Sequence, residues 1–449
     1  MTQSATDNIY LNGRILPLFA RTAAPIVTVM LVNGLFSVVD AYFIGTFVGA
    51  QAVVAVTLMF PLYMMLIALT SLVSAGFSSV YARMIGAEDT SGAHRVFASA
   101  FQLSLIVCGV LMLGYGLFGV PMTRWIASGS DALAGQGREY LSILIYLSPL
   151  AFILSLNIDA LRAEGLLAAM AAITMTSALL NIGFDWVFVA LLGWGVKGSA
   201  IGTVLSQLVS MIGVVLYRWR GAPLKWRRTG LVSAHWRDLL ALGAPSSLGY
   251  VGLSISAGVT IFSLQIWSGD SFAATSGAFG IMTRLMTFVF LPLLGISLAF
   301  QTIVGNNFGA GRQARTQAVT RIGVAVALVY CVVCQTLFVL LAPVIGGWFV
   351  DDVAIQSELA RILPIGTLTL FLFGPLMMIA AYFQATGDAR RALLLSVSRT
   401  YAFAIPLTFL LPFAIGEIGI WLSGGVAELL VLGLTLLVLR NRNKAPVFG

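Results

Sequence analysis

The sequence predicts an all-α integral membrane protein with twelve transmembrane helices. They form two six-helix lobes related by a pseudo-two-fold axis along the membrane normal. Three observations predict this: a very apolar composition, basic residues confined to one set of loops, and an internal repeat. Of 449 residues, 59% are hydrophobic and only 9% are charged. Soluble domains carry about 25% charged residues, so a soluble fold is excluded.

Twelve apolar runs approach or exceed the ~20 residues that a span needs. They cover 15–46, 50–82, 94–119, 138–161, 166–192, 196–217, 239–266, 272–305, 316–343, 358–384, 389–413 and 416–439. Prolines 25, 61, 149, 245, 292, 364, 375 and 406 fall within or near these runs. Each removes a backbone donor and is a point where a helix bends. Residues 1–13 are polar and no cleavage site follows a short apolar core, so the first span is expected to be retained as an anchor.

Loop charge sets the orientation. With both termini on the cytoplasmic side, 20 of the 25 basic residues fall in cytoplasmic segments, including Arg390, Arg391 and Arg399. Four fall outside, namely Arg124, Arg138, Lys197 and Arg361, while Arg284 lies within the eighth run. This asymmetry is the positive-inside rule, and an odd number of spans would scramble it. It also accounts for the net charge of +8 without nucleic acid. The longest basic connection, 218–237, is read as a linker between lobes at 1–217 and 238–449.

The halves repeat each other at spacings of 220 to 223 residues. Ala24-Pro25 recurs as Ala244-Pro245, and Ile85-Gly86-Ala87 as Phe308-Gly309-Ala310. Arg162-Ala-Glu-Gly recurs as Gln384-Ala-Thr-Gly, and Gly195-x-x-Gly198 as Gly416-x-x-Gly419. Six spans per repeat give both halves the same orientation.

The acids point to function. Asp40 and Asp185 lie deep in the first and fifth runs, where a charge costs ~2.5–3.5 kcal/mol on insertion scales. Ser37 and Asn33 precede Asp40 on the same helical face, and Asn181 precedes Asp185 by one turn. Such polar stripes face protein or a water-filled cavity, so Asn33 and Ser37 are candidate cavity residues. Two carboxylates without a basic partner in their spans repel each other and titrate jointly. Either a proton or Na⁺ relieves that repulsion, and spacing alone does not choose between them. The repeat places Thr260, Pro406 and Ala402 opposite Asp40, Asp185 and Asn181, so this equipment belongs to the first half.

Other chemistries find little support. Cys108, Cys331 and Cys334 sit in apolar runs, and the C-x-x-C they include has no α/β context. His94 and His235 are far apart in predicted loops. There is no phosphate-binding GxxxxGK[ST] loop, which argues against ATP-driven transport by this chain alone. An intramembrane enzyme such as a prenyl transferase lacks an aspartate-rich diphosphate motif, and no cofactor is expected.

Pro25, Asp40 and Gly45 in the first run, LRAEG at 161–165, NIGFD at 181–185 and GVKGSAIGTV at 195–204 together resemble the multidrug and toxic compound extrusion (MATE) family, in its DinF-like branch. The resemblance covers essentially the whole chain. It implies an antiporter, not an enzyme, that exports amphipathic and often cationic compounds in exchange for H⁺ or Na⁺. It also implies a cation site at Asp40, Asn181, Asp185 and Thr203, with Asn157 lining the same cavity and Pro25 as a hinge of the first span. Span seven lacks the acid used in another branch, which favours the first-half site. The chain is expected to be a monomer in the inner (cytoplasmic) membrane of a prokaryote, with both termini cytoplasmic as the loop charges indicate, contacting drug-like molecules and lipid. A lipid-linked oligosaccharide flippase of the same superfamily is the alternative. It would need several cavity cations for a diphosphate, and only Arg284 is clearly placed within a run.

Overall fold

The computed structural model describes residues 8–127, 129–221 and 233–442, and its regular elements are all helices. Most of the 218–237 linker and the side chain of Ser37 lie outside the described residues. Ten helical stretches are long and apolar enough to cross a membrane, and two bent helix pairs raise the number to twelve. By contact the chain divides into two units. One is Met1–Ser247 with Gly305–Gln313, and the other is Leu248–Val304 with Ala314–Gly449.

In the first unit α1 spans Ile15–Phe43, holds Pro25 internally, and passes into a π-helical segment at Ile44–Val48. The run expected at 50–82 divides at Met59 into α2, Ala50–Leu58, and α3, Phe60–Gly86, because Pro61 opens a new helix. Only α3 of the two is long enough to span. α4, Thr90–Ile126, is capped by Asp89, whose carboxylate accepts from Gly92 N at 2.7 Å. α5, Asp131–Tyr146, and α6, Ser148–Ala163, form one span bent by 51° where Pro149 starts the second piece. α7 spans Leu167–Asp185 and continues into a second π-helical segment, Trp186–Leu191. α8 follows at Gly195–Gly221 and α9 at Trp236–Trp267. α7 packs along both α1 and α8, while α3 packs on α4 and α6.

Missing side chains allow several of these approaches. A Cβ on Gly86 would overlap the backbone of Asn306, and one on Gly309 would overlap that of Arg83. The Ile-Gly-Ala and Phe-Gly-Ala repeats therefore press on each other reciprocally. Gly76 against Leu239 and Gly243 against Leu72 repeat the device. These contacts account for the first unit taking in the start of α9 and the short segment 305–313.

The second unit continues with α10, Phe272–Gly309, and α11, Gln313–Ile345. α12, Val353–Gly366, and α13, Leu370–Thr386, again form a bent span, by 49°. The bend recurs in the fourth span of each half, as a repeat requires. α14, Ala389–Val397, passes through a third π-helical segment, Ser398–Ala404, into the short helices α15, Ile405–Leu410, and α16, Pro412–Ile415. α17, Ile418–Arg442, closes the chain. Leu264, Ile281, Phe338, Leu359, Leu363 and Trp421 are core residues of this unit.

Arg399, counted with the cytoplasmic residues from sequence, lies ten residues into the helical stretch Ala389–Ile415, beyond Arg390 and Arg391 in its first turn, and its Nε is 3.2 Å from Glu428 Oε1 of α17. A carboxylate on a neighbouring span offsets the charge, which a count of loop residues does not register.

Candidate functional site: two carboxylates at matched helix distortions

The site forms where α1, α7 and α8 meet. Asp40 comes one turn before the π-helical segment that ends the first span, and Asp185 immediately precedes the one that ends the fifth. These two segments pack on each other. A π turn widens a helix locally and is enriched at functional sites. Here the two distortions lie beside each other and each is preceded by an acid.

Asp40 accepts a hydrogen bond from Ser199 Oγ of α8 at 2.6 Å. Asp185 is 1% exposed, and neither carboxylate oxygen has a hydrogen-bond partner. The two carboxyl groups lie close enough to interact directly. Both being acceptors when ionised, they form a hydrogen bond only if one carries a proton. Gly202 of α8 makes room, since a Cβ there would lie 2.8 Å from Asp185 Oδ1. No salt bridge reaches either acid among the described residues.

Asn181 Nδ2 donates to Thr203 Oγ1 at 3.2 Å, linking α7 to α8 one turn from the acids. That arrangement leaves Asn181 Oδ1 as a further oxygen donor for a cation. The four residues Asp40, Asn181, Asp185 and Thr203 thus offer hard oxygen ligands of the kind that suit Na⁺, and a carboxylate pair that suits a proton.

The remaining expected residues are spread more widely. Asn33 is exposed on α1, two turns before Asp40. Asn157 is fully buried in α6, with Nδ2 donating to Ile153 O at 2.8 Å and Oδ1 without a partner. Pro25 is fifteen residues from Asp40 on the same continuous helix, about 22 Å along its axis at 1.5 Å per residue. Arg284 is exposed on α10.

Three contributors escaped the sequence reading. Ser199 stands one turn before Thr203, so helical spacing within GVKGSAIGTV was the available signal. Tyr63 of α3 and Tyr140 of α5 both stand near Asp40. Tyr140 also stands near Asp185 and is 8% exposed. Tyr140 sits near the start of an apolar run, where a tyrosine reads as an interfacial anchor.

Comparison with known proteins identifies the family. The family model described as MatE matches residues 25–187 and 245–410. The multidrug export protein MepA of Staphylococcus haemolyticus is 24% identical over 428 residues, covering 93% of this chain and 92% of that protein. The probable multidrug resistance protein YoeA of Bacillus subtilis is 23% identical over 415 residues, 89% and 88% respectively. Among solved structures, a MATE in the bent conformation superposes with a TM-score of 0.88 at 23% identity, covering 98% of each chain. The outward-facing conformation of a multidrug resistance MATE family transporter gives 0.87 at 23% identity, again covering 98% of each. At that identity the structural likeness establishes the shared twelve-span fold.

Proposed function

Because the chain belongs to the MatE family, we propose that it is a multidrug efflux antiporter that exchanges amphipathic, often cationic compounds for H⁺ or Na⁺ by alternating access. One observation carries the coupling: Asp185 is buried with two oxygens that no donor satisfies, beside a second carboxylate. A buried charge without partners is expensive, and a second like charge adds to the cost. A proton or a Na⁺ removes both penalties at once.

The cycle uses that relief. With the cavity open outward, the cation enters between Asp40 and Asp185 and joins α1, α7 and α8 more tightly. The drug leaves, the transporter reorients, and the cation departs inward. Driving such a switch from 1:99 to 99:1 needs a difference in cation affinity between the states of about 5.5 kcal/mol. The names of the relatives support drug efflux as the activity, and the inner membrane of a prokaryote is the compartment that fits them.

The test is efflux of a fluorescent organic cation from proteoliposomes under an imposed pH or Na⁺ gradient. Gradient-driven efflux in wild type, abolished in Asp40→Asn and Asp185→Asn, supports the proposal. Turnover of a lipid substrate without any gradient would support an enzyme instead.

A further inference from the structure

The second unit holds a polar constellation that cation coupling in the first does not use. Arg399 sits in the π-helical segment Ser398–Ala404, ten residues after the start of its span and sixteen before its end. Glu428 lies ten residues into α17. Their side chains are 17% and 10% exposed, so the pair is shielded but not sealed. Arg399 Nε lies 3.2 Å from Glu428 Oε1, an ion pair in which Nε makes no hydrogen bond, and Oε2 of the same carboxylate also has no hydrogen-bond partner. The guanidinium carbon also lies 4.5 Å from the ring centroid of Phe373 on α13. Phe290 of α10 meets Phe373 with ring centroids 6.4 Å apart and extends the aromatic wall.

A carboxylate together with an aromatic face is the chemistry that recognises an organic cation. The carboxylate supplies the charge, and the ring offers its negative face at little desolvation cost. An ionisable pair inside a span is a functional candidate by default. A purely structural Arg–Glu bond would favour the two-pronged fork, which satisfies both oxygens. Here one oxygen is left over and the contact is made through Nε.

We propose that Glu428 and Phe373 form a binding subsite for a planar organic cation, and that Arg399 occupies it as a built-in surrogate. A substrate that carries a guanidinium or comparable cationic group takes the place of Arg399, whose side chain swings aside within the widened π turn. The subsite's use in export rests on the efflux reading above, whereas its ability to bind does not.

Equilibrium binding to purified protein, with no gradient, separates the two. The probe is benzylguanidinium, with neutral benzylurea of the same shape as control. Arg399→Ala empties the subsite and is expected to bind benzylguanidinium at least tenfold more tightly than wild type. Benzylurea should gain nothing, and the gain should vanish in Arg399→Ala/Glu428→Gln. Arg399→Ala leaves Glu428 buried without its partner, which threatens folding. Arg399→Gln keeps the polar volume and is read by thermal shift, where benzylguanidinium but not benzylurea should raise the unfolding temperature. Equal gains for both probes, a gain that survives in the double variant, or no gain in either single variant would overturn the proposal. Asp185→Asn should leave this binding unchanged, so a failure of cation coupling is not read as a failure here.

Discussion

Ser199 Oγ donates to Asp40 Oδ1 at 2.6 Å, so the acid of the first span is tied to the sixth. Its neighbour Asp185 has no such donor. On the proposed mechanism this asymmetry divides the work, with Asp40 positioned and Asp185 left for a mobile partner. Ser199→Ala removes a bond to a charged group, worth about 1.5–3 kcal/mol. With less to hold the ionised Asp40, cation binding gains more, and half-maximal efflux should need less coupling cation. An unchanged cation dependence would show that the Ser199 contact is incidental. Transport at a series of imposed gradients measures it.

Gly202 is the second test of the site. A Cβ at this position would meet Asp185 Oδ1 at 2.8 Å, so Gly202→Ala should push α8 from α7. Overpacking of this kind costs about 1–3 kcal/mol. Gly213→Ala on the same helix has open space and should be neutral or stabilising by about 0.5–1 kcal/mol. Thermal unfolding in detergent compares the two. Efflux should fail in Gly202→Ala and persist in Gly213→Ala.

The paired glycines Gly86 and Gly309 predict a packing defect away from the acids. Either one changed to alanine forces backbone apart, against Asn306 or Arg83 respectively. Each should lower the unfolding temperature well beyond Gly109→Ala, whose added methyl meets nothing within 4 Å. Cation binding at the acid pair should survive wherever the protein still folds.

Asp89 provides a check at a loop. The backbone N–H of Gly92 and the hydroxyl of Ser91 donate to its carboxylate and hold it below the ordinary carboxylate range. The cap is therefore fully stabilising above about pH 4, the unfolded value, and is lost as pH falls through the lowered one. Asp89→Ala should cost about 0.5–2 kcal/mol at neutral pH. The difference from wild type should shrink in strong acid, as thermal unfolding across pH would record.

The span count was legible because lipid leaves no alternative: each span must be long, apolar and hydrogen-bonded within itself. The bent fourth spans were signalled by prolines within their runs, Pro149 in the first half and Pro364 in the second. Asp40, Asn181, Asp185 and Thr203 were readable from charge in an apolar run, from helical spacing, and from family motifs. Ser199 and Tyr140 were not, because a serine or tyrosine in a membrane helix has many innocent uses and the partner is distant in sequence. The Arg399 ion pair was hidden for a related reason: a cation near a basic loop reads as topology until its carboxylate partner on another helix is seen. The π-helical segments leave no compositional trace and emerge only from the fold.

Isothermal titration of the purified protein with Na⁺ at fixed pH, and with protons in Na⁺-free buffer, tests the acid pair most directly. Wild type should take up one of these cations with a saturable heat, and Asp185→Asn should lose that heat while keeping the wild-type unfolding profile. An undiminished signal in a folded Asp185→Asn would place the coupling ion elsewhere and contradict the account.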